Sequence, residues 1–68
     1  MKISARNVLN GKITDIKKGA TTSHVGIDIN GVIVTASITN EAVDDLKLKV
    51  GDAAHAVIKA SDVMIAIG

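Results

Sequence analysis

The sequence predicts an all-β protein, folded as a small barrel of five short strands with one short helix after the third strand. Three observations lead to this prediction. Runs rich in β-branched residues alternate with polar residues at a period of two. Turn signals separate these runs at short intervals. One segment alone, after the third run, has the pattern of a helix. A chain of 68 residues has room for one domain, which we place at residues 1–68.

The first three strands are predicted in the first half of the chain. The first runs from Leu9 to Ile16, alternates poorly, and stops at the turn Lys17-Lys18-Gly19. The second, Ser23 to Ile29, alternates cleanly and should be half-buried. Asn30-Gly31 follows, and then the third strand, Val32 to Ile38. Asn-Gly between two such runs predicts a hairpin, because a type I′ turn needs positive φ at both central residues.

The second half of the chain begins with the predicted helix, Thr39 to Leu46. Its first residues can cap a helix, and a short apolar stripe follows. A turn over residues 48–52 leads to two more strands, Ala54 to Lys59 and Val63 to Ile67, split by Ala60-Ser61-Asp62. Five strands with a helix after the third are typical of the OB fold. A closed barrel also leaves no strand edge exposed.

The composition predicts that this domain assembles with copies of itself. A domain of this size buries only about 60% of its unfolded surface, so its own core is thin. Such chains usually gain support from disulfides, a metal or oligomerisation. The chain has no Cys, and its two histidines lie too far apart in sequence to form a local ligand pair. A hydrophobic content of 47% fits a surface that a partner subunit covers.

Charge and hydropathy exclude several classes of partner. The net charge is +1, which favours neither a polyanion nor a membrane surface. Met1 to Asn10 contains no apolar signal-peptide core, and no run approaches the roughly 18 apolar residues of a membrane helix. We therefore expect a cytoplasmic protein without a membrane partner.

No residue pattern supports catalysis. A nucleophile needs an adjacent base and a group that orients the base. His24 and His55 lie in no recognisable motif, and there is no Cys. The carboxylates of Asp44-Asp45 point about 100° apart on a helix, so they do not converge on one substrate. The sequence predicts no enzyme, no catalytic residue and no cofactor.

The predicted OB fold leaves one alternative open, an interaction module or a single-stranded nucleic-acid-binding module. OB domains of the second kind stack bases on aromatic side chains and hold the backbone in a basic groove. This chain has no Phe, Trp or Tyr and almost no excess positive charge. We therefore expect no nucleic-acid partner.

Scattered hydrogen-bond donors instead suit a small oxyanion. Ser4-Ala5-Arg6-Asn7 combines a hydroxyl, a guanidinium and an amide within four residues. Thr39 opens a short helix whose free N–H groups, such as that of Ala42, attract anions. Lys59 ends a strand, and Ala60-Ser61 follows where the backbone turns and frees amides. Each feature taken singly also fits a surface residue, a helix cap or a solvated strand end.

In combination, these segments resemble the Mop family of small molybdate-binding proteins, the molbindins. The resemblance rests on Ser4-Ala5-Arg6-Asn7, Ser37-Ile38-Thr39 and the run Ile58 to Met64, in this order. It covers essentially the whole chain. It implies a five-stranded OB-like domain that exchanges its N-terminal strand with a neighbour, in a hexamer built as a trimer of dimers.

The resemblance also implies a function and a site. Molybdate is expected to bind at subunit interfaces for intracellular molybdenum storage and homeostasis, and tungstate, of nearly the same size, should bind too. The implied oxyanion-binding residues are Ser4, Ala5 and Arg6 of one subunit and Thr39, Ala42, Lys59 and Ala60 of the next. Ala42 offers only its N–H where some relatives carry a hydroxyl side chain. The turn at residues 17–19 is a candidate for a second kind of anion site.

The chemistry of the anion fits these residues. Molybdate is a tetrahedral dianion at neutral pH, so its site needs donors on several sides and no carboxylate facing inward. Arg6 and Lys59 can balance its charge, while hydroxyls and backbone amides direct hydrogen bonds. Charge-assisted hydrogen bonds of this kind are roughly twice as strong as neutral ones.

Overall fold

A computed structural model of the chain describes residues 2–68, which form four strands, one α-helix and one 3-10 helix. The elements in chain order are β1 (Asn7–Lys18), β2 (Thr22–Ile29), β3 (Val32–Thr39), α1 (Asn40–Asp45), β4 (Ala53–Ile58) and the 3-10 helix (Ala60–Asp62). The predicted predominantly β architecture, with one short helix after the third strand, is confirmed. Among these residues no helix is long and apolar enough to cross a membrane.

The strands form one antiparallel sheet in the order β3-β2-β1-β4. β1 is the longest strand and serves two neighbours: its first half pairs with β4 and its second half with β2. A bulge shifts the β1–β2 register between Ile13 and Asp15. Bulges bend a strand and increase its twist. The bulge also lets Ile13 and Ile16, three positions apart, both contact the core, which explains the poor alternation of this segment.

The hairpin between β2 and β3 has the predicted turn. Asn30 and Gly31 both have positive φ, at 52° and 94°. The N–H of Gly31 donates to Asp28 Oδ1 at 2.7 Å, which closes the turn. The Asn-Gly signal therefore predicted both the place and the type of this connection.

The first strand is longer than predicted. It begins at Asn7 and continues to Lys18, through two residues that the sequence assigned to a turn. Lys17 and Lys18 pair with His24 and Ser23 instead, and the N–H of Gly19 donates to the carbonyl of Thr22 at 2.7 Å. Lysine side chains at an exposed strand end are easily solvated, so the ladder continues until Gly19 allows the turn.

The helix α1 is shorter than predicted, at six residues. Thr39 is its N-cap and keeps an extended backbone, while Leu46 follows as the C-cap. Val43 is the residue that α1 buries, at 4% exposed. The predicted capping function of this segment is confirmed.

The predicted fifth strand, Val63 to Ile67, is not formed within the chain. After the 3-10 helix the backbone leaves the sheet, and residues 63–68 have no strand partner among the described residues. Met64, Ile65 and Ile67 are 92%, 91% and 98% exposed. The predicted exchange of the N-terminal strand between subunits stays a prediction, since the structure describes one chain, in which β1 pairs on both sides.

The core is small, as the chain length predicts. The buried apolar side chains are Ile13, Val25, Ile27, Val43 and Ala56. Beside them the curled sheet leaves a cavity of about 530 Å³ with aliphatic walls. Val34 and Ile38 of β3 and Ala54 and Ile58 of β4 lie on opposite sides of it. The two outer strands of the sheet therefore face each other across an apolar opening.

Candidate functional site

Arg6 and Lys59 lie next to each other at one end of the sheet, where β1 begins and β4 ends. The last cross-strand pair there is Asn7 with Ile58, and Asn7 Nδ2 also donates to the carbonyl of Ile58 at 3.2 Å. Arg6 directly precedes this pair and Lys59 directly follows it. We call this region, residues 4–7 and 58–60, the Arg6 end. The antiparallel register thus places Arg6 beside Lys59 of its own chain, whereas the resemblance assigns the two cations of one site to different subunits.

Among residues 2–68, neither Arg6 nor Lys59 forms an ion pair. The ion pair found among residues 2–68 joins Lys18 Nζ to Asp44 Oδ1 at 2.7 Å, away from Arg6 and Lys59. Both of these side chains are exposed. Two exposed cations that form no ion pair within the described residues provide positive charge for a dianion.

Ser4 and Ala5 belong to the irregular segment that leads into β1. Ser4 is exposed and lies at a bend, and Ala5 is half-buried. Because they immediately precede Arg6, they lie at the Arg6 end as well. The structure therefore keeps the first three predicted ligands together.

Lys59 and Ala60 form the start of the 3-10 helix. Lys59 is its N-cap, with φ −66° and ψ 137°, and its carbonyl accepts the N–H of Asp62 at 2.9 Å. The first N–H groups of a helix have no partner inside it. In this chain these are the amides of Ala60 and Ser61, and neither takes part in a hydrogen bond among the described residues. The predicted turn with free amides at this place is confirmed.

Thr39 and Ala42 lie together at the other end of β1, which we call the Thr39 end (residues 17–23 and 39–43). Thr39 is exposed and pairs with Thr22, next to the last residues of β1. The N–H of Ala42, predicted as a donor to the anion, donates instead to Thr39 Oγ1 at 3.0 Å. This is the normal N-cap bond. The hydroxyl hydrogen of Thr39 is therefore the donor that this corner offers outward.

The two ends are separated along the sheet but share a cavity. Arg6 and Thr39 flank opposite ends of the 12-residue strand β1. Ile38 and Ile58, which directly precede Thr39 and Lys59, both line the cavity between β3 and β4. No hydrogen bond or ion pair within residues 2–68 joins the two ends.

Sequence reasoning missed a polar network behind Thr39. Ser23 is completely buried and donates through Oγ to Asn40 Oδ1. Asn40 Nδ2 donates in turn to the carbonyl of Gly19 at 3.0 Å. A signal was present: Ser23 lies on the same face of β2 as Val25 and Ile27, which form the core. A hydroxyl on a core-facing position requires a buried partner.

The fold and these strand-end donors define a class of protein, which comparison with known families identifies. The sequence profile of the TOBE domain matches residues 3–65, so the chain belongs to the TOBE domain family. Within that family it is a member of the Mop group, as its motifs predict. It is 44% identical over 68 residues to a probable molybdenum-pterin-binding protein of Haemophilus influenzae, covering 98% of this chain and 99% of that protein.

Solved structures give the same assignment. A molybdate-binding protein from Sporomusa ovata superposes with a TM-score of 0.94 at 36% identity, over 98% of this chain and 100% of that one. ModG, described as a cytoplasmic molybdate-binding protein and solved with molybdate bound, gives a TM-score of 0.89 at 43% identity. That match covers 94% of this chain and 46% of ModG.

Proposed function

We propose that this chain is a non-enzymatic module, a single domain over residues 1–68, that binds molybdate between subunits of a homo-oligomer. The observation that carries the proposal is its likeness, over nearly its whole length, to the molybdate-binding protein of Sporomusa ovata. The similarity to ModG with molybdate bound supports the same ligand. Arg6 of one subunit and Lys59 of the next, both exposed, supply the positive charge that such a ligand requires.

In the proposed site, Arg6 and Lys59 balance the two negative charges of the anion. Ser4 and the backbone of Ala5 act with Arg6 from one subunit. Lys59, the free amide of Ala60 and the hydroxyl of Thr39 act from its neighbour, with Ala42 holding the threonine oxygen. The positions of Arg6 and Thr39 at opposite ends of β1 support their origin in different subunits. The common cavity behind Thr39 and Lys59 supports their origin in the same one.

The apolar C-terminal segment supports assembly. Exposed apolar patches of this kind mark interaction surfaces, and unpaired strand edges invite another strand. Residues 63–67 are apolar and exposed, while β3 and β4 present two edges beside an aliphatic cavity. We therefore propose that residues 63–67 of a neighbouring chain supply the fifth strand of the barrel, in addition to the exchange of the N-terminal strand that the resemblance implies. The proposed assembly is a hexamer, a trimer of dimers.

The proposed role is molybdenum storage and homeostasis in the cytoplasm, the compartment given for ModG. Tungstate should bind as molybdate does, because both are tetrahedral dianions of nearly the same size. No cofactor, membrane or nucleic acid takes part in this proposal.

Isothermal titration of the assembled protein with sodium molybdate tests the ligand. We expect saturable uptake of molybdate. Tungstate should displace the bound molybdate, whereas sulfate should displace it poorly, because sulfate is smaller and makes looser contacts in a site that fits molybdate. Absence of saturation up to millimolar molybdate would refute the proposal. A parallel titration with a single-stranded oligonucleotide checks the alternative OB function, for which salt-sensitive, saturable binding is the signature.

A further inference from the structure

The network behind Thr39 ties three segments of the chain together through one side chain. Asn40 accepts the hydroxyl of Ser23 from β2 and donates to the carbonyl of Gly19 in the β1–β2 turn. The N–H of Asn40 donates to the carbonyl of Thr21 at 2.9 Å. Asn40 is also the first residue of α1 and directly follows Thr39. Its position is thus fixed from two sides of the turn and from the helix.

The inner bond of this network, between Ser23 and Asn40, is the buried one. Ser23 is 0% exposed and Asn40 is half-buried, and no buried side-chain polar atom among the described residues lacks a partner. Breaking this bond would leave the buried hydroxyl of Ser23 unsatisfied, which costs more than the bond itself contributes. The bond from Asn40 to Gly19 is exposed and adds a second tether to the same amide.

We propose that Asn40 is a positioning residue of the oxyanion site, acting through Thr39. The network fixes the backbone of Asn40, and the cap bond from the N–H of Ala42 fixes the oxygen of Thr39. With that lone pair occupied, the hydroxyl hydrogen of Thr39 points away from the helix as a donor. This inference rests on the proposed function, since it names the residue that orients one ligand of the same site.

The hydrogen bonds at position 40 favour asparagine over aspartate and glutamine. Both ends of the amide are used, because the oxygen accepts from Ser23 and the nitrogen donates to Gly19. An aspartate would lose the donor and place a negative charge beside the proposed anion. A glutamine would carry the same groups one methylene farther from the backbone.

Molybdate affinity of assembled Asn40→Ala and Asn40→Asp, measured by isothermal titration, tests the proposal. We expect Asn40→Ala to weaken binding about tenfold, the lower end of the loss seen when an outer-shell hydrogen bond to a ligand-binding residue is removed. Asn40→Asp should weaken it further because of its charge. Ser23→Ala, which removes one of the three bonds, should have a smaller effect in the same direction.

Asn10→Ala is the matched control. Asn10 Oδ1 also contacts another side chain, His55 Nδ1 at 2.6 Å, but at an exposed position outside the proposed site. This variant should bind molybdate as the parent does. Size-exclusion chromatography of every variant checks that the oligomer is retained.

A double variant separates positioning from general destabilisation. If Asn40 acts through Thr39, adding Asn40→Ala to Thr39→Ala should cause no further loss of affinity, since coupled residues are not additive. The inference would be overturned if the two single-variant losses of affinity multiplied in the double variant, or if Asn40→Ala bound molybdate like the parent. Either result would leave the proposed molybdate binding intact. A parent protein that takes up no molybdate would instead overturn the proposed function, and the inference with it.

Discussion

The two ends of β1 are built in different ways. At the Thr39 end, a buried hydroxyl, an amide and a helix cap hold the ligand residue within a single chain. At the Arg6 end, one side-chain hydrogen bond, from Asn7 to the carbonyl of Ile58, adds to the backbone pairing of the strands, and the cations are exposed. The difference teaches that a single chain supplies one preorganised corner of the proposed site and one exposed, charged corner. The second corner therefore depends more on the neighbouring subunit.

The largest effect is expected from a charge in the C-terminal segment. Ile65→Asp places a carboxylate where we expect an apolar interface, so the oligomer should dissociate and molybdate binding should be lost with it. Light scattering measures the mass of the oligomer, and isothermal titration measures molybdate binding. Val50→Asp is the matched control, because Val50 is also exposed, at 63%, but lies in a turn. An Ile65→Asp protein that remains assembled and binds molybdate would contradict the assignment.

The next effect concerns the Arg6 end. Arg6→Ala should weaken molybdate binding about ten- to a hundredfold, since hydrogen bonds to charged groups contribute about 1.5–3 kcal/mol. Arg6→Lys should recover part of this loss, because it restores the charge without the planar fork. Lys49→Ala removes an exposed cation elsewhere and serves as the control in the same titration. If Arg6→Ala and Lys49→Ala bound molybdate with equal affinity, Arg6 would not be a ligand of the site.

At the Thr39 end, ligand binding and stability should change together. Thr39→Ala loses the cap bond, so the free energy of unfolding should fall by about 1 kcal/mol at a fixed chain concentration. Lys59→Ala at the opposite end should change it by less than about 0.5 kcal/mol, as exposed substitutions do. Urea denaturation in the absence of molybdate measures the free energy of unfolding of both variants. Equal losses of stability would mean that the ends do not differ in preorganisation.

The smallest expected effect is that of Asn7→Ala. It removes one side-chain bond to the carbonyl of Ile58, at 3.2 Å, so the free energy of unfolding should fall by about 0.5 kcal/mol, the low end for one hydrogen bond. Thr39→Ser, which keeps the cap bond, is the reference at the other end. If Asn7→Ala instead proves as harmful to molybdate binding as Arg6→Ala, the Arg6 end is more ordered than its contacts indicate.

Local signals in the sequence predicted the local structure well. The Asn-Gly turn and the Thr39 cap each depend on a few adjacent residues, and both were correct. Lys59 was expected at the end of a strand and directly follows β4, while the function of Arg6 and Lys59 as oxyanion ligands stays a prediction that rests on the resemblance. These features need no knowledge of the rest of the fold.

Long-range features were harder to predict. The apolar run Val63 to Ile67 has the pattern of a strand, but pattern alone does not say which chain provides its partner. The bond between Ser23 and Asn40 joins residues 17 positions apart, so no local rule could pair them. The N–H of Ala42, which was predicted to donate to the anion, donates to Thr39 Oγ1 as part of the helix cap. In each case the answer depends on three-dimensional neighbours.

The bulge in β1 has a consequence for how this chain tolerates changes in length. Thr14 is the extra residue there, between the paired positions Ile13 and Asp15. Deleting Thr14 would leave Ile13 and Ile16 two positions apart, so both would still face the core, as their partners Ile27 and Val25 do. A one-residue deletion in a regular part of β1 would instead exchange the two faces of the strand beyond it. Position 14 should therefore be the place in β1 where a one-residue deletion is least damaging.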